Sequence, residues 1–127
     1  MPIVRISHVT GKTAEAVTAI SHGVHRAMVE TFDVADDDYF QIITEHAATT
    51  GLVGPSVFLG IRHTGDFVFV QITCAEGRPT DQKRALYGWI ADYLHAGCAV
   101  RREDVIVNLV ETKRENWSFE NGLASFA

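Results

Sequence analysis

The second residue of the chain is a proline set directly behind the initiator methionine, in MPIVRISHV. Methionine before a small residue is commonly trimmed away. Trimming here would make Pro2 the N-terminus and turn its nitrogen from an amide into a secondary amine. N-terminal amines titrate near working pH, so such a nitrogen can take up a proton and return it during a reaction. Met-Pro is also an ordinary way for a chain to begin, and Pro2 alone fits that plain reading too. Other residues with chemistry are scattered. His22 and His25 stand three apart on a helical pattern, a spacing that can fit a metal, yet no third histidine or carboxylate supports them, so no metal site is expected. His46 either lines a pocket or caps a sheet edge. Cys74 ends an apolar run and reads as buried rather than reactive. Gly51, Gly54 and Gly60 have no phosphate-binding pattern around them and read as loop glycines, so no organic cofactor is implied.

These residues sit in a chain of 127, long enough for one domain (1–127) with a real core. The net charge is −5 and the basic residues are dispersed, which argues against nucleic acid as a partner. No apolar run is long enough to span a bilayer, and the start has no charged-then-apolar pattern of a signal peptide. The two cysteines, Cys74 and Cys98, lack zinc-like spacing and read as reduced thiols of a cytoplasmic protein.

Two units position the candidates. Residues Ile3 to Val9 read as a β-branched strand. Val17, Ile20, Val24, Met28 and Phe32 then recur at three- and four-residue steps, the apolar face of a helix, with Thr13 as N-cap and Glu15 near its positive end. YFQIITEH reads as a second strand. The order repeats in the strand DFVFVQITC, a helix with Pro79 near its first turn, the stripe Leu86, Ile90 and Leu94, Gly97 as C-cap, and the strand EDVIVNLVE. Strand, helix and strand thus recur at an offset of about 65 residues. The units are 3–46 and 66–111, with a tail at 112–127. Each predicts a right-handed crossover and a parallel strand pair. The fold class is α/β (α+β), with tandem β-α-β repeats forming one four-stranded sheet and both helices on one face. The other face is left bare, and a bare apolar face predicts an oligomer. The Gly- and Thr-rich connection between the units reads as a loop with a short strand at Val57 to Leu59.

A double β-α-β chain with proline behind its methionine resembles the tautomerase superfamily. FDVADDDYFQ, GRPTDQK and NWSFENGLASF are similar to segments of its malonate semialdehyde decarboxylase branch, and the resemblance runs from Pro2 nearly to the end. It implies Pro2 as the catalytic N-terminal proline, Asp38 as the aspartate working beside it, and Arg78 as an arginine holding the substrate carboxylate. A guanidinium does this bidentately, and a following helix start adds its positive end. Trp117, Phe119 and Phe126 match the aromatic wall of the pocket, although each would serve equally as a core or trimer contact. The resemblance also implies a homotrimer with the sheets facing inward, a small carbonyl or carboxylate substrate, and no cofactor.

One position departs. The branch carries two arginines two residues apart, and the earlier position here is Glu76. At about 6 Å and an effective dielectric of about 20, one charge is worth roughly 3 kcal/mol, so a reversed sign near a substrate carboxylate matters. Glu76 could instead pair with Arg78, since residues two apart on an extended segment face one side. The implied activity is proton transfer on a small oxo acid, by keto–enol tautomerisation or decarboxylation. The alternative is a trimeric binding or scaffold protein that keeps the fold without the chemistry.

Overall fold

The computed structural model describes residues 2–127. Strand β1 (Ile3–Val9) leads into helix α1 (Ala14–Phe32) and strand β2 (Gln41–His46). A small hairpin of β3 (Val57–Phe58) and β4 (Ile61–Arg62) follows, then β5 (Val68–Ala75), helix α2 (Thr80–Cys98) and β6 (Val105–Thr112). The main sheet has the order β2-β1-β5-β6. Each unit supplies a parallel pair, β1 with β2 and β5 with β6, and the units join through antiparallel pairing of β1 with β5.

Alternation along the strands divides the two faces. Val4, Ile6, Val68, Val70 and Ile72 point under the helices and are fully or almost fully buried. They meet Ile20, Val24 and Met28 of α1 and Leu86, Ile90 and Leu94 of α2 in a single core. Both expected helical stripes are therefore the core-facing stripes. The hydroxyl of Thr13 accepts the Ala16 N–H at 3.1 Å, capping α1 as expected.

Three features differ from the sequence reading. The expected C-cap Gly97 lies inside α2, and Ala99 takes the left-handed cap conformation at φ 54°. Glycine is not needed here because the Ala99 N–H still reaches the Leu94 carbonyl. The single short strand near Val57 is half of a hairpin. Leu59 (φ 51°) and Gly60 (φ 75°) supply the turn, both in the left-handed region that two-residue hairpins demand. The open face of the sheet is mixed rather than apolar. Ile42, Ile106 and Val110 alternate with Arg5, Ser7, Gln71 and Asn108, and Gln71 donates to Asn108 at 3.1 Å. The most exposed large apolar side chain is on the hairpin, where Leu59 is 82% exposed beside Phe58 and Ile61.

The cap assignment is testable. A methyl group at Gly97 meets nothing within 4 Å. Gly97→Ala is expected to raise unfolding stability by about 0.5–1 kcal/mol, since glycine inside a helix costs that much. Ala99→Gly is expected to raise it too, by relieving the left-handed alanine. Urea unfolding of the two variants measures this; a C-cap at Gly97 would give the opposite sign for the first.

Candidate functional site

Strand direction decides which residues meet. β1 and β2 start at the same end of the sheet, and β5 and β6, running the other way, finish there. Pro2, the Asp38–Phe40 segment, the Glu76–Arg78 turn and the tail after Thr112 therefore gather at one edge. The Val4 N–H donates to the Phe40 carbonyl at 3.0 Å, and Ile3 pairs with Thr73. Pro2 is buried at the start of this ladder. Met1, whose removal the catalytic role of Pro2 requires, lies outside the described residues.

The Asp38 loop is held from behind by α1. His25 Nε2 donates to the Asp36 carbonyl at 3.0 Å, and its ring stacks on Tyr39 with centroids 3.9 Å apart. Ser21 donates to Gln41 Oε1 at 2.6 Å, which leaves the Tyr39 hydroxyl to donate to Ser21 Oγ at 2.7 Å. Gln41 returns a bond to the Ser21 carbonyl. The half-buried Asp38 thus sits on a loop fixed by four side chains, while Asp36 and Asp37 are exposed as expected of a solvated turn. The sequence reading missed Ser21, Tyr39 and Gln41. Their signal was Ser21 and His25 one helical turn apart, with the run Tyr-Phe-Gln leading into β2.

Arg78 is held in a different way. It donates to the Phe32 carbonyl at 3.2 Å and the Ala75 carbonyl at 3.3 Å, and its guanidinium lies 4.4 Å over the Phe32 ring. It therefore pins the last turn of α1 and keeps three N–H groups for other acceptors. The considered pairing with Glu76 does not form: among the described residues neither side chain has an ion-pair partner. Gly77 at φ 118° interrupts the extended run between them, and both line one cleft without pairing. The Glu111 carboxylate, bonded to Lys83 at 2.7 Å, also accepts the Gly77 N–H. Those contacts hold its pKa below the ordinary carboxylate value and raise that of Lys83.

The tail folds back as an aromatic wall. Trp117 is buried, donates to the Thr112 hydroxyl at 2.8 Å, and stacks on Phe119 with the planes 1° apart. Phe119 meets Phe126 at 5.8 Å and Phe40 at 5.6 Å. Asp37, Asp38, Phe40, Phe119 and Phe126 line one cleft. A second cleft, of about 480 Å³, is lined by Phe32, Asp33, Glu76, Gly77, Arg78, Gln82, Arg114 and Phe126 among others. Phe126 lines both, so the cleft beside Asp38 and the cleft beside Arg78 share one wall residue. Trp117 stands behind Phe119 as its anchor.

Other candidates lie away from this edge. His46 closes β2 at the opposite end of the sheet, where its carbonyl accepts the Thr10 N–H, and so does not line this site. Cys74 is buried in the core, and burial raises its thiol pKa. Among the described residues no group of three or more His, Cys, Asp or Glu is arranged to hold a metal ion.

Comparison with known proteins agrees with this fold. Two family models, each described as a tautomerase enzyme, match residues 2–59 and 38–120. A probable tautomerase of Bacillus subtilis, YusQ, is 35% identical over 98% of this chain and 97% of its own length. The solved malonate semialdehyde decarboxylase FG41, inhibited by 3-bromopropiolate, is 27% identical with a TM-score of 0.91, covering 98% of this chain and 93% of that one. A fused 4-OT solved as a symmetric trimer shares the fold at a TM-score of 0.79 and 22% identity, over 95% and 94% of the two chains. The double β-α-β architecture, the proline at its N-terminal edge and these matches together establish that the chain belongs to the tautomerase family.

Proposed function

We propose that this protein moves a proton on a small carbonyl compound carrying a carboxylate, with Pro2 as acid–base group once Met1 is removed. The observation that carries the reading is the gathering of Pro2, Asp38 and Arg78 at one sheet edge, closed by Phe119 and Phe126. Arg78 binds the carboxylate through its remaining N–H groups. A neutral Pro2 nitrogen then removes the proton alpha to the carbonyl, the C–H electron pair becomes the enol double bond, and the proton returns to oxygen. Asp38 favours the prolinium form and the aromatic wall favours the neutral amine, so the balance of the two sets the working pH. Free thiols at Cys74 and Cys98 fit a reducing compartment such as the cytoplasm.

Decarboxylation is the second reading, supported by the likeness to malonate semialdehyde decarboxylase. There a protonated Pro2 donates to the aldehyde oxygen, the bond to the carboxylate breaks to release carbon dioxide, and the resulting enolate takes a proton to give acetaldehyde. Glu76 weakens this reading, because it opposes a carboxylate close to Arg78. Glu76 is equally the feature that favours a non-catalytic trimer.

A proton NMR time course of the methionine-free protein separates these. Interconversion of the keto and enol forms of a 2-oxo acid, slowed by about 10²–10⁴-fold in Pro2→Ala, is the expected result. Acetaldehyde from malonate semialdehyde would install the second reading, and silence with both would favour the scaffold. Asp38→Asn is expected to shift the Pro2 limb of the pH–rate profile to lower pH, since removal of the anion destabilises the prolinium form.

We further propose a homotrimer, as in the fused 4-OT neighbour. Exposed Phe58, Leu59 and Ile61 on a hairpin remote from the clefts are suited to an inter-subunit contact. Light scattering is expected to report about three chains per particle and a smaller particle for Leu59→Asp.

A further inference from the structure

We infer that Arg114 is the second arm of the carboxylate subsite and sets the preference of the second cleft for an acid over its neutral counterpart. This rests on the reading that the cleft beside Arg78 receives the substrate carboxylate.

Four charged residues line that cleft: Arg78, Arg114, Asp33 and Glu76. Most basic side chains on the helices and their flanks are matched by an acidic neighbour, as Lys83 is by Glu111 and Arg102 by Asp92. Arg78, Lys113 and Arg114 are not: among the described residues none has an ion-pair partner within 4.0 Å, and of the three Arg78 and Arg114 line this cleft. Two arginines without a carboxylate partner that line one concavity can together receive an anion with two acceptor oxygens.

The two arms are held differently. Arg78 is fixed by the Phe32 and Ala75 carbonyls and by the Phe32 ring. Arg114 opens the short turn Arg114–Asn116 that leaves β6. Its backbone is tied down, since its carbonyl accepts the Trp117 N–H at 3.3 Å and the Asn116 N–H reaches the Lys113 carbonyl at 3.0 Å. Its side chain is exposed and has no hydrogen-bond partner among the described residues. A fixed root with a free arm suits a group that closes on a carboxylate already seated on Arg78. Glu76 faces the same space and opposes that closure. Its own backbone N–H is bound to the Thr112 carbonyl at 2.9 Å, so it stays beside the subsite. Arg114 thereby supplies the positive charge that Glu76 subtracts.

Benzoylformate tests this without turnover. It carries a carboxylate beside a carbonyl and a ring for the aromatic wall, and it has no alpha proton to lose. Calorimetric titration of the methionine-free protein is expected to show tighter binding of benzoylformate than of its methyl ester. Arg114→Gln should weaken the acid about tenfold and leave the ester unchanged. Arg114→Lys should recover part of the loss, and Glu76→Gln should tighten the acid. Unchanged acid binding in Arg114→Gln overturns the assignment, as does an equal loss of acid and ester. A wild-type protein with no preference for the acid overturns the carboxylate reading of the cleft and this inference with it. Failure of catalysis in the NMR time course, with the calorimetric pattern intact, removes the proposed chemistry and leaves the clamp.

Discussion

The antiparallel pairing of β1 with β5 is the constraint on which the site depends. Within one β-α-β unit the crossover puts both strand starts at the same end of the sheet. The first unit therefore brings Pro2 and the Asp38 loop together. The second, inverted by the pairing of β1 with β5, brings the ends of β5 and β6 to that same edge. Joined in parallel, the units would leave the Arg78 turn at the far end of the strands, roughly 20 Å away at about 3.3 Å per residue. The central pair is protected on both sides by β2 and β6, and Val4, Ile6, Val70 and Ile72 fix its register. A slip of one residue would turn that apolar set out of the core.

Arg78 joins the core to the site. The carbonyl of Phe32 is among the last of α1 and would otherwise face the helix end without a partner. Arg78 satisfies it from the neighbouring turn and lays its guanidinium over the Phe32 ring. The first helix, the turn after β5 and the cleft are coupled through this one side chain. Loss of Arg78 would loosen the helix end as well as any carboxylate, which makes the variant a poor reporter of binding alone. Arg114 lacks this double duty, since among the described residues its side chain makes no hydrogen bond or ion pair.

Much of this was legible in the residues. The helical stripes, the alternating strands and the internal repeat predicted both units, because each pattern reports a face that must be buried. Pro2, Asp38, Arg78 and Phe126 were placed near one another by resemblance, and the register supplies the physical reason. What escaped depended on backbone conformation or long-range contact. Ala99 took the cap expected of Gly97, and Glu76 and Arg78 line one cleft without pairing, with Gly77 at φ 118° between them. Ser21, Tyr39 and Gln41 are ordinary polar residues in sequence, and only the packing of α1 against the start of β2 makes them the support of the Asp38 loop. Arg114 carried no local signal, since its importance comes from a cleft assembled by three distant segments.

The charges around the second cleft follow from how the backbone holds them. Asp33 caps α1 in the left-handed region, Glu76 continues the ladder to Thr112, and Arg78 is bonded to two carbonyls. Each anchor fixes one charge at a separate point, and the exposed ones keep their water. Surface charges left apart in this way cost the fold little, because an exposed ion pair contributes only about 0–1 kcal/mol when it does form. A ligand that displaces the water finds positive groups not already spent on neighbours. A carboxylate seated there would gain contacts that the protein does not make with itself, a difference that would let the cleft tell an acid from its neutral counterpart.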